Sequence, residues 1–291
     1  MKVATAAYPL DFLQSWAQYE DKIDAWVTKA ADAGADLLVF PEYGAMELAT
    51  LSGEAVARDL QASLQAVSDR LRDADALHGR LAAAHGVHIV AASGPAITEN
   101  GPVNRARLVA PSGAIGVQDK QIMTRFERDA WGVVGGGPLQ VFDTNIGKLG
   151  ILICYDAEFP PLGRALADCD VVLVPSCTET LAGYWRVRIG AMARALENQC
   201  VTVMSSIVGD AQWSEAVDIS TGMGGIFGPP DIGFPPSGVL AEGLLNDAGW
   251  TYAQVDLKAI AQVRRDGRVL GRQHWTEQNG RDGRAPIVEL R

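Results

Sequence analysis

The sequence predicts an α/β protein built on a mixed sheet, or on two sheets packed together. Three observations carry that expectation. Short apolar runs of strand length alternate with stretches whose apolar residues recur at helical spacing. Several strands are joined through a helix, as parallel neighbours must be. Others are joined by tight turns, at Pro111-Ser112-Gly113 and at Asn145-Ile146-Gly147. Crossovers and hairpins in one chain disfavour a purely parallel, doubly wound sheet.

Val3 to Tyr8 reads as the first strand. Trp16, Tyr19, Ile23, Val27 and Ala30 then form one helical stripe, which stops at Gly34, a residue suited to a left-handed C-terminal position. Asp36 to Phe40 is a short apolar run that ends in Pro41-Glu42-Tyr43-Gly44. Val56, Leu60, Leu64, Val67 and Leu71 share one face of a longer helix, closing near Gly86, and Val87 to Ser93 is a buried strand. Two hairpins follow, Arg105–Ala110 with Ala114–Gln118 and Leu139–Phe142 with Lys148–Ile153. Past Cys154, Pro160-Pro161 opens a helix, where proline is tolerated. Asp170 to Pro175 is buried on both faces, and Trp185, Ile189, Met192 and Leu196 lie on one helical stripe. Cys200 to Ile207 and Thr251 to Val255 are further strands, while the glycine- and proline-rich stretch from Ser220 to Gly243 alternates short strands with turns.

No linker, low-complexity run or repeat divides the chain, so one domain over residues 1–257 and a tail over 258–291 are expected. The tail holds eight basic and four acidic residues on a chain of net charge −10, with Trp275 and Val288 among them. It is expected to pack on the acidic body or on a neighbouring subunit. A chain of 291 residues, 48% hydrophobic and 21% charged, can bury a large core without staples. Its negative charge counts against nucleic acid or an anionic membrane as partner. The four cysteines form no C-x-x-C pair, which points away from zinc, a redox dithiol or a disulfide framework. Neither a signal-like apolar stretch nor a run near the roughly 18 residues of a membrane helix is present, so a cytoplasmic protein is expected. Gly135-Gly136-Gly137 and Gly222-Met223-Gly224-Gly225 lack the Lys-Ser/Thr ending of a phosphate loop.

The chemistry gathers at strand ends. Cys154 sits where Gly150-Ile151-Leu152-Ile153 gives way to a helix, on the usual ligand edge of an α/β sheet. A thiol there is a candidate nucleophile, although a small buried hydrophobe would look the same. It needs a base or a positive neighbour. His78, His85, His88 and His274 lie outside the strand-end loops. Glu42 follows the apolar run Leu37 to Phe40 directly, and a half-buried carboxylate there would have the raised pKa of a general base. An exposed turn carboxylate is the alternative. Lys120 ends the hairpin strand in a highly charged run, either as part of a solvated loop or as a cation beside the thiol.

Taken together, Leu38-Val39-Phe40-Pro41-Glu42, Asp119-Lys120 and Gly150-Ile151-Leu152-Ile153-Cys154-Tyr155-Asp156-Ala157-Glu158-Phe159-Pro160 resemble three motifs of the carbon–nitrogen hydrolases, the nitrilase superfamily. Val174-Pro175-Ser176 and the helix ending Arg194-Ala195-Leu196-Glu197-Asn198-Gln199 add to the likeness. The resemblance implies a four-layer α-β-β-α sandwich that hydrolyses non-peptide C–N bonds without metal or cofactor. In that scheme Cys154 attacks the carbon, Glu42 is base and then acid, and Lys120 with the Tyr155 N–H holds the oxyanion. Glu127 is the nearest match to a second glutamate that many members carry. Tyr155-Asp156 stands where nitrilases typically have Trp-Glu, which leans toward small amides. N-carbamoyl amines and nitriles remain as alternative substrates, and a non-catalytic thiol sensor as the rival function. Tyr43, Trp131, Tyr155, Cys177 and Thr178 are placed at the pocket by position, and Cys169 and Cys200 in the core. Relatives often dimerise through helices after the cysteine motif, so a homodimer or larger homo-oligomer is expected. The Trp185 stripe fits such a contact or the chain's own core.

Overall fold

The computed structural model describes residues 1–281 and 283–290; residues 282 and 291 of the expected tail lie outside the described residues. The chain opens with β1 (Lys2–Pro9), α1 (Trp16–Asp32) and β2 (Leu37–Val39). Two short helices, α2 (Glu47–Thr50) and α3 (Glu54–Arg58), lead into the long α4 (Leu60–His85). A meander of β3 (His88–Thr98), β4 (Gly101–Val109) and β5 (Ile115–Asp119) precedes the hairpin β6 (Val141–Thr144) and β7 (Gly147–Ile151). Then come α5 (Pro160–Ala165), β8 (Val171–Ser176), α6 (Leu181–Asn198) and β9 (Val201–Asp210). Four short strands, β10 (Ile219–Ser220), β11 (Gly225–Phe227), β12 (Val239–Glu242) and β13 (Gly249–Gln254), are followed by α7 (Leu257–Asp266) and α8 (Gly271–His274).

Helix ends follow local chemistry. Ser15 accepts from the Gln18 N–H at the start of α1, and Thr180 from the Gly183 N–H at the start of α6, each satisfying an orphan donor. Gly86, at φ 68°, closes α4 in the left-handed conformation expected of it. One expectation needs correcting. The helix expected to carry both Val56 and Leu60 is two helices, because Asp59 adopts an extended backbone and accepts from the N–H groups of Gln61 and Ala62. An aspartate that can cap the next turn competes with continuing the previous one.

The strands form a mixed sheet with two halves. One runs β13-β1-β2-β3-β4-β5, the other β12-β11-β9-β8-β7-β6, and a short parallel seam joins them, Ala7–Pro9 of β1 against Ser206–Val208 of β9. Side chains alternate across a strand, and the first half divides accordingly. Leu38, Ala4 and Ala6 pack with Tyr19, Ile23, Leu64 and Val67 of α1 and α4. Leu37, Val39 and Val3 face the other way and pack with Ile151 and Leu173 of the second half, whose far side is covered by Tyr184, Val187 and Ala191 of α6. The result is the four-layer α-β-β-α sandwich. Among the described residues no helix is long and apolar enough to cross a membrane.

Trp185, Ile189 and Leu196 are 45%, 63% and 50% exposed, so that stripe of α6 faces away from the chain's own core. The inward face is made instead of Tyr184, Val187 and the small residues Gly190, Ala191 and Ala195. Small residues are needed there because α6 lies against the backbone that follows Cys154. A Cβ on Gly190 would stand 2.7 Å from the Ala157 carbonyl oxygen. In the tail, Ile260 and Val263 of α7 are fully buried, and Arg264 donates to the carbonyls of Gln199 (3.0 Å) and Cys169 (2.5 Å). Arg164 stacks on the Trp275 ring at 4.5 Å, whereas Val288 is exposed.

Two glycines separate intrinsic propensity from packing. A Cβ added to Gly79, inside α4, would meet nothing within 4 Å, so Gly79→Ala is expected to stabilise by about 0.5–1 kcal/mol. Gly190→Ala gains the same propensity but meets rigid backbone, and overpacking of about 1–3 kcal/mol reverses the sign. Urea midpoints that move in opposite directions for the two variants are the expected result.

Candidate active site

The strands β1, β2, β3, β7, β8 and β9 run parallel, and β5 returns to that direction through β4. Their C-terminal ends therefore gather on one edge. Glu42 follows β2, Lys120 follows β5, Cys154 follows β7 and Cys177 follows β8. Two of these loops turn sharply on non-glycine residues in the left-handed region, Tyr43 at φ 56° and Cys154 at φ 50°. Such a conformation costs roughly 1–2 kcal/mol, which the surrounding contacts must offset.

Asp156 supplies much of that restraint. It is buried and accepts from the backbone N–H groups of Ile153 (3.3 Å), Gln121 (3.1 Å) and Ile122 (2.9 Å). One carboxylate thus ties the start of the cysteine turn to the residues directly after Lys120. Burial raises its pKa to about 6, against the lowering effect of the three N–H donors.

The centre of the site is a buried ammonium between two carboxylates. Lys120 Nζ lies 2.7 Å from Glu42 Oε1 and 2.7 and 2.8 Å from the two oxygens of Glu127. Each carboxylate has further donors. Asn104 Nδ2 and the Cys177 N–H donate to Glu42 at 2.9 and 3.0 Å. Tyr43 Oη, Thr124 Oγ1 and the Thr124 N–H donate to Glu127 at 2.7, 2.8 and 2.8 Å. Ser93 completes the frame by donating to Asn104 Oδ1 (2.7 Å) and accepting from the Tyr43 N–H (3.1 Å). The Cys154 thiol points at the Cys177 carbonyl, 3.6 Å away.

These surroundings push the two carboxylates apart. Burial raises Glu42 to about 7, with Lys120 pulling down and Glu127 pushing up. Glu127 feels burial too, but Lys120 and the Tyr43 and Thr124 donors hold it below the usual carboxylate range. Burial alone would lower Lys120, yet its two carboxylates keep it well above an ordinary lysine and hence charged. Burial and the nearby Glu42 charge raise the Cys154 thiol well above its ordinary value, so it rests protonated. A neutral thiol beside a carboxyl group that titrates near neutrality can be activated by direct proton transfer.

Glu42, Lys120, Glu127, Cys154, Tyr43, Trp131, Tyr155, Cys177 and Thr178 all line one cavity of about 440 Å³. Trp131 is buried in its wall, 4.8 Å from the Tyr43 ring, and donates its indole N–H to the Leu60 carbonyl (2.9 Å). None of the four histidines lines it; His78 is buried on α4, its Nδ1 2.7 Å from the Ala74 carbonyl oxygen. Cys169 and Cys200 are fully buried in the core. Sequence reading missed Asn104, Ser93 and the anchoring role of Asp156. It also missed the cavity's contribution from the turn around Glu215 and Asp218.

Residues 2–265 match the model of the family described as carbon-nitrogen hydrolase. The chain belongs to that family. This carbon-nitrogen hydrolase is 34% identical over 271 residues to the probable hydrolase YhcX of Bacillus subtilis. The match covers 92% of this chain and 52% of YhcX, so the chain spans about half the length of that relative. Its fold is similar to that of a carbon-nitrogen hydrolase from Helicobacter pylori G27, with a TM-score of 0.74 at 16% identity, covering 91% and 92% of the two chains. It is also similar to the NitN amidase from Neterenkonia sp. AN1, with a TM-score of 0.64 at 25% identity, covering 94% and 99%.

Asp156→Ala leaves three N–H groups without their acceptor, two of them on the lysine loop. At about 1–3 kcal/mol for each buried group left unsatisfied, a loss of at least about 2 kcal/mol is expected, read as a lowered urea midpoint. Asp156→Asn, which keeps one acceptor oxygen, should lose less.

Proposed function

We propose that this carbon-nitrogen hydrolase cleaves a small carboxylic amide to its acid and ammonia through a thioester on Cys154. The observation that carries the reading is the splitting of two carboxylates around one buried lysine, with the higher-pKa member next to the thiol. Glu42 takes the thiol proton as the sulfur attacks the amide carbon. The negative charge that develops on the amide oxygen is met by the Lys120 ammonium and the Tyr155 N–H, donors already fixed before the reaction begins. Glu42 then returns the proton to the departing nitrogen, ammonia leaves, and the C–N bond is replaced by C–S.

In the second half, Glu42 deprotonates a water molecule, whose oxygen attacks the thioester. The C–S bond breaks, the acid departs and the thiol recovers its proton. Glu127 stays ionised throughout. It holds Lys120 in place and keeps the ammonium charged, acting through the lysine rather than on the substrate. The similarity to the NitN amidase supports an amide over a nitrile, as does Tyr155-Asp156 after the nucleophile.

A screen for ammonia release over short amides, N-carbamoyl amines and nitriles tests the reading. Cys154→Ala is expected to abolish release while the thermal transition persists, and a slow amide should leave an acyl adduct on the wild-type protein in its intact mass. Oxidation adducts alone, with no ammonia, would indicate a thiol sensor instead. Because Glu42 must be deprotonated to act as base, kcat/KM is expected to fall as pH drops through about 7. Glu42→Gln should lower turnover by about 100- to 10,000-fold, the usual contribution of a positioned acid–base group, and remove that acid limb.

A further inference from the structure

We propose that the amide this site accepts carries a positive charge at the end remote from its carbonyl, as a primary amine or guanidinium. The proposal rests on the amidase reading and narrows it to a substrate class. Its basis is the charge and aromatic lining of the cavity above Cys154.

Among the described residues two cations line the cavity, and each has a carboxylate partner. Lys120 lies at its floor between Glu42 and Glu127. Arg186, with an exposed side chain, also lines the cavity and has its Nε 3.5 Å from Glu158 Oε1. The remaining charged lining is acidic and comes from two further segments. Glu179 stands in the loop between β8 and α6, while Glu215 and Asp218 stand in the turn between β9 and β10. Glu179 and Glu215 are exposed and, among the described residues, have no cationic partner. Asp218 accepts the Ile219 N–H (2.8 Å), which leaves its charge uncompensated.

A carboxylate on the far end of the substrate would meet these groups with only Arg186, already shared with Glu158, to pair with among the described residues. An ammonium would meet three unpaired carboxylates in a concave site, where a field of one sign is focused and raises the local concentration of the opposite charge. The aromatic lining supports the same ligand on independent grounds. Tyr43, Phe126 and Trp131 also line the cavity, with the Phe126 and Trp131 ring centroids 6.0 Å apart. Aromatic faces attract a desolvated cation and offer nothing comparable to an anion.

Three amides of matched size separate the possibilities: γ-aminobutyramide, valeramide and succinamate, which differ in far-end charge. Turnover is measured on the wild-type protein, and binding by calorimetry on the Cys154→Ala protein, both at low ionic strength. The cationic amide is expected to be favoured over succinamate by about 10- to 100-fold in kcat/KM and in binding. That ratio should shrink with added salt and in the Glu179→Gln, Glu215→Gln double variant, whose exposed positions leave the urea midpoint unchanged. Succinamate bound as well as or better than γ-aminobutyramide, or no binding of the cationic amide, overturns the proposal. Cation-selective binding without ammonia from any of the three upholds it while removing the amidase reading.

Discussion

The arrangement of this molecule depends on one buried ammonium, that of Lys120. A lone charge at its depth would cost several kcal/mol in lost hydration and would shed its proton instead. Two carboxylates prevent that, and in doing so they fix where three chain segments must lie. Glu42 has to reach it from the end of β2 and Glu127 from the turn beyond, and the lysine has to arrive from β5. Each carboxylate also needs its remaining lone pairs filled. That need draws in Asn104, Tyr43, Thr124 and the Cys177 backbone. The cysteine turn joins the same frame through Asp156. The left-handed backbone of Cys154 is tolerable because so much of its neighbourhood is already determined.

The same frame explains why two chemically identical carboxylates differ. Both are buried and both touch Lys120. Glu127 receives a phenol, a hydroxyl and an amide besides. Glu42 receives a side-chain amide and one backbone N–H and lies against the thiol. More donors favour the ionised form, so Glu127 remains a fixed negative charge while Glu42 can give and take a proton near neutrality.

Much of this was legible in the sequence because it is local. Glu42 and Cys154 each close a short apolar run and Lys120 ends a hairpin strand, and a residue that directly follows a strand has few places to go. Gly34 and Gly86 marked their helix ends for the same reason. What could not be read depended on partners far along the chain. Asn104 and Ser93 lie within strands, where a polar side chain gives no sign of whether it meets a carboxylate or water. The inward face of α6 is made mainly of small residues, and its larger apolar stripe fitted a core or a contact with another copy equally, because size, not proximity to the core, dominates a periodicity count. The Glu215 and Asp218 turn reaches the cavity through the course of β9, which nothing in its own composition reveals.

The seam between Ala7–Pro9 and Ser206–Val208 has a consequence for how the chain acquires its reactivity. Glu42, Lys120 and Glu127 belong to the first half of the sheet or the loop that leaves it, whereas Cys154 and Cys177 belong to the second. A chain with only one half formed holds either the Glu42 carboxyl group or the Cys154 thiol in place, never both. Contacts so distant in sequence form late, since the entropy of closing the intervening loops must be met first. The group of Glu42, Lys120 and Cys154 that the proposed hydrolysis needs is thus assembled only when the two halves dock.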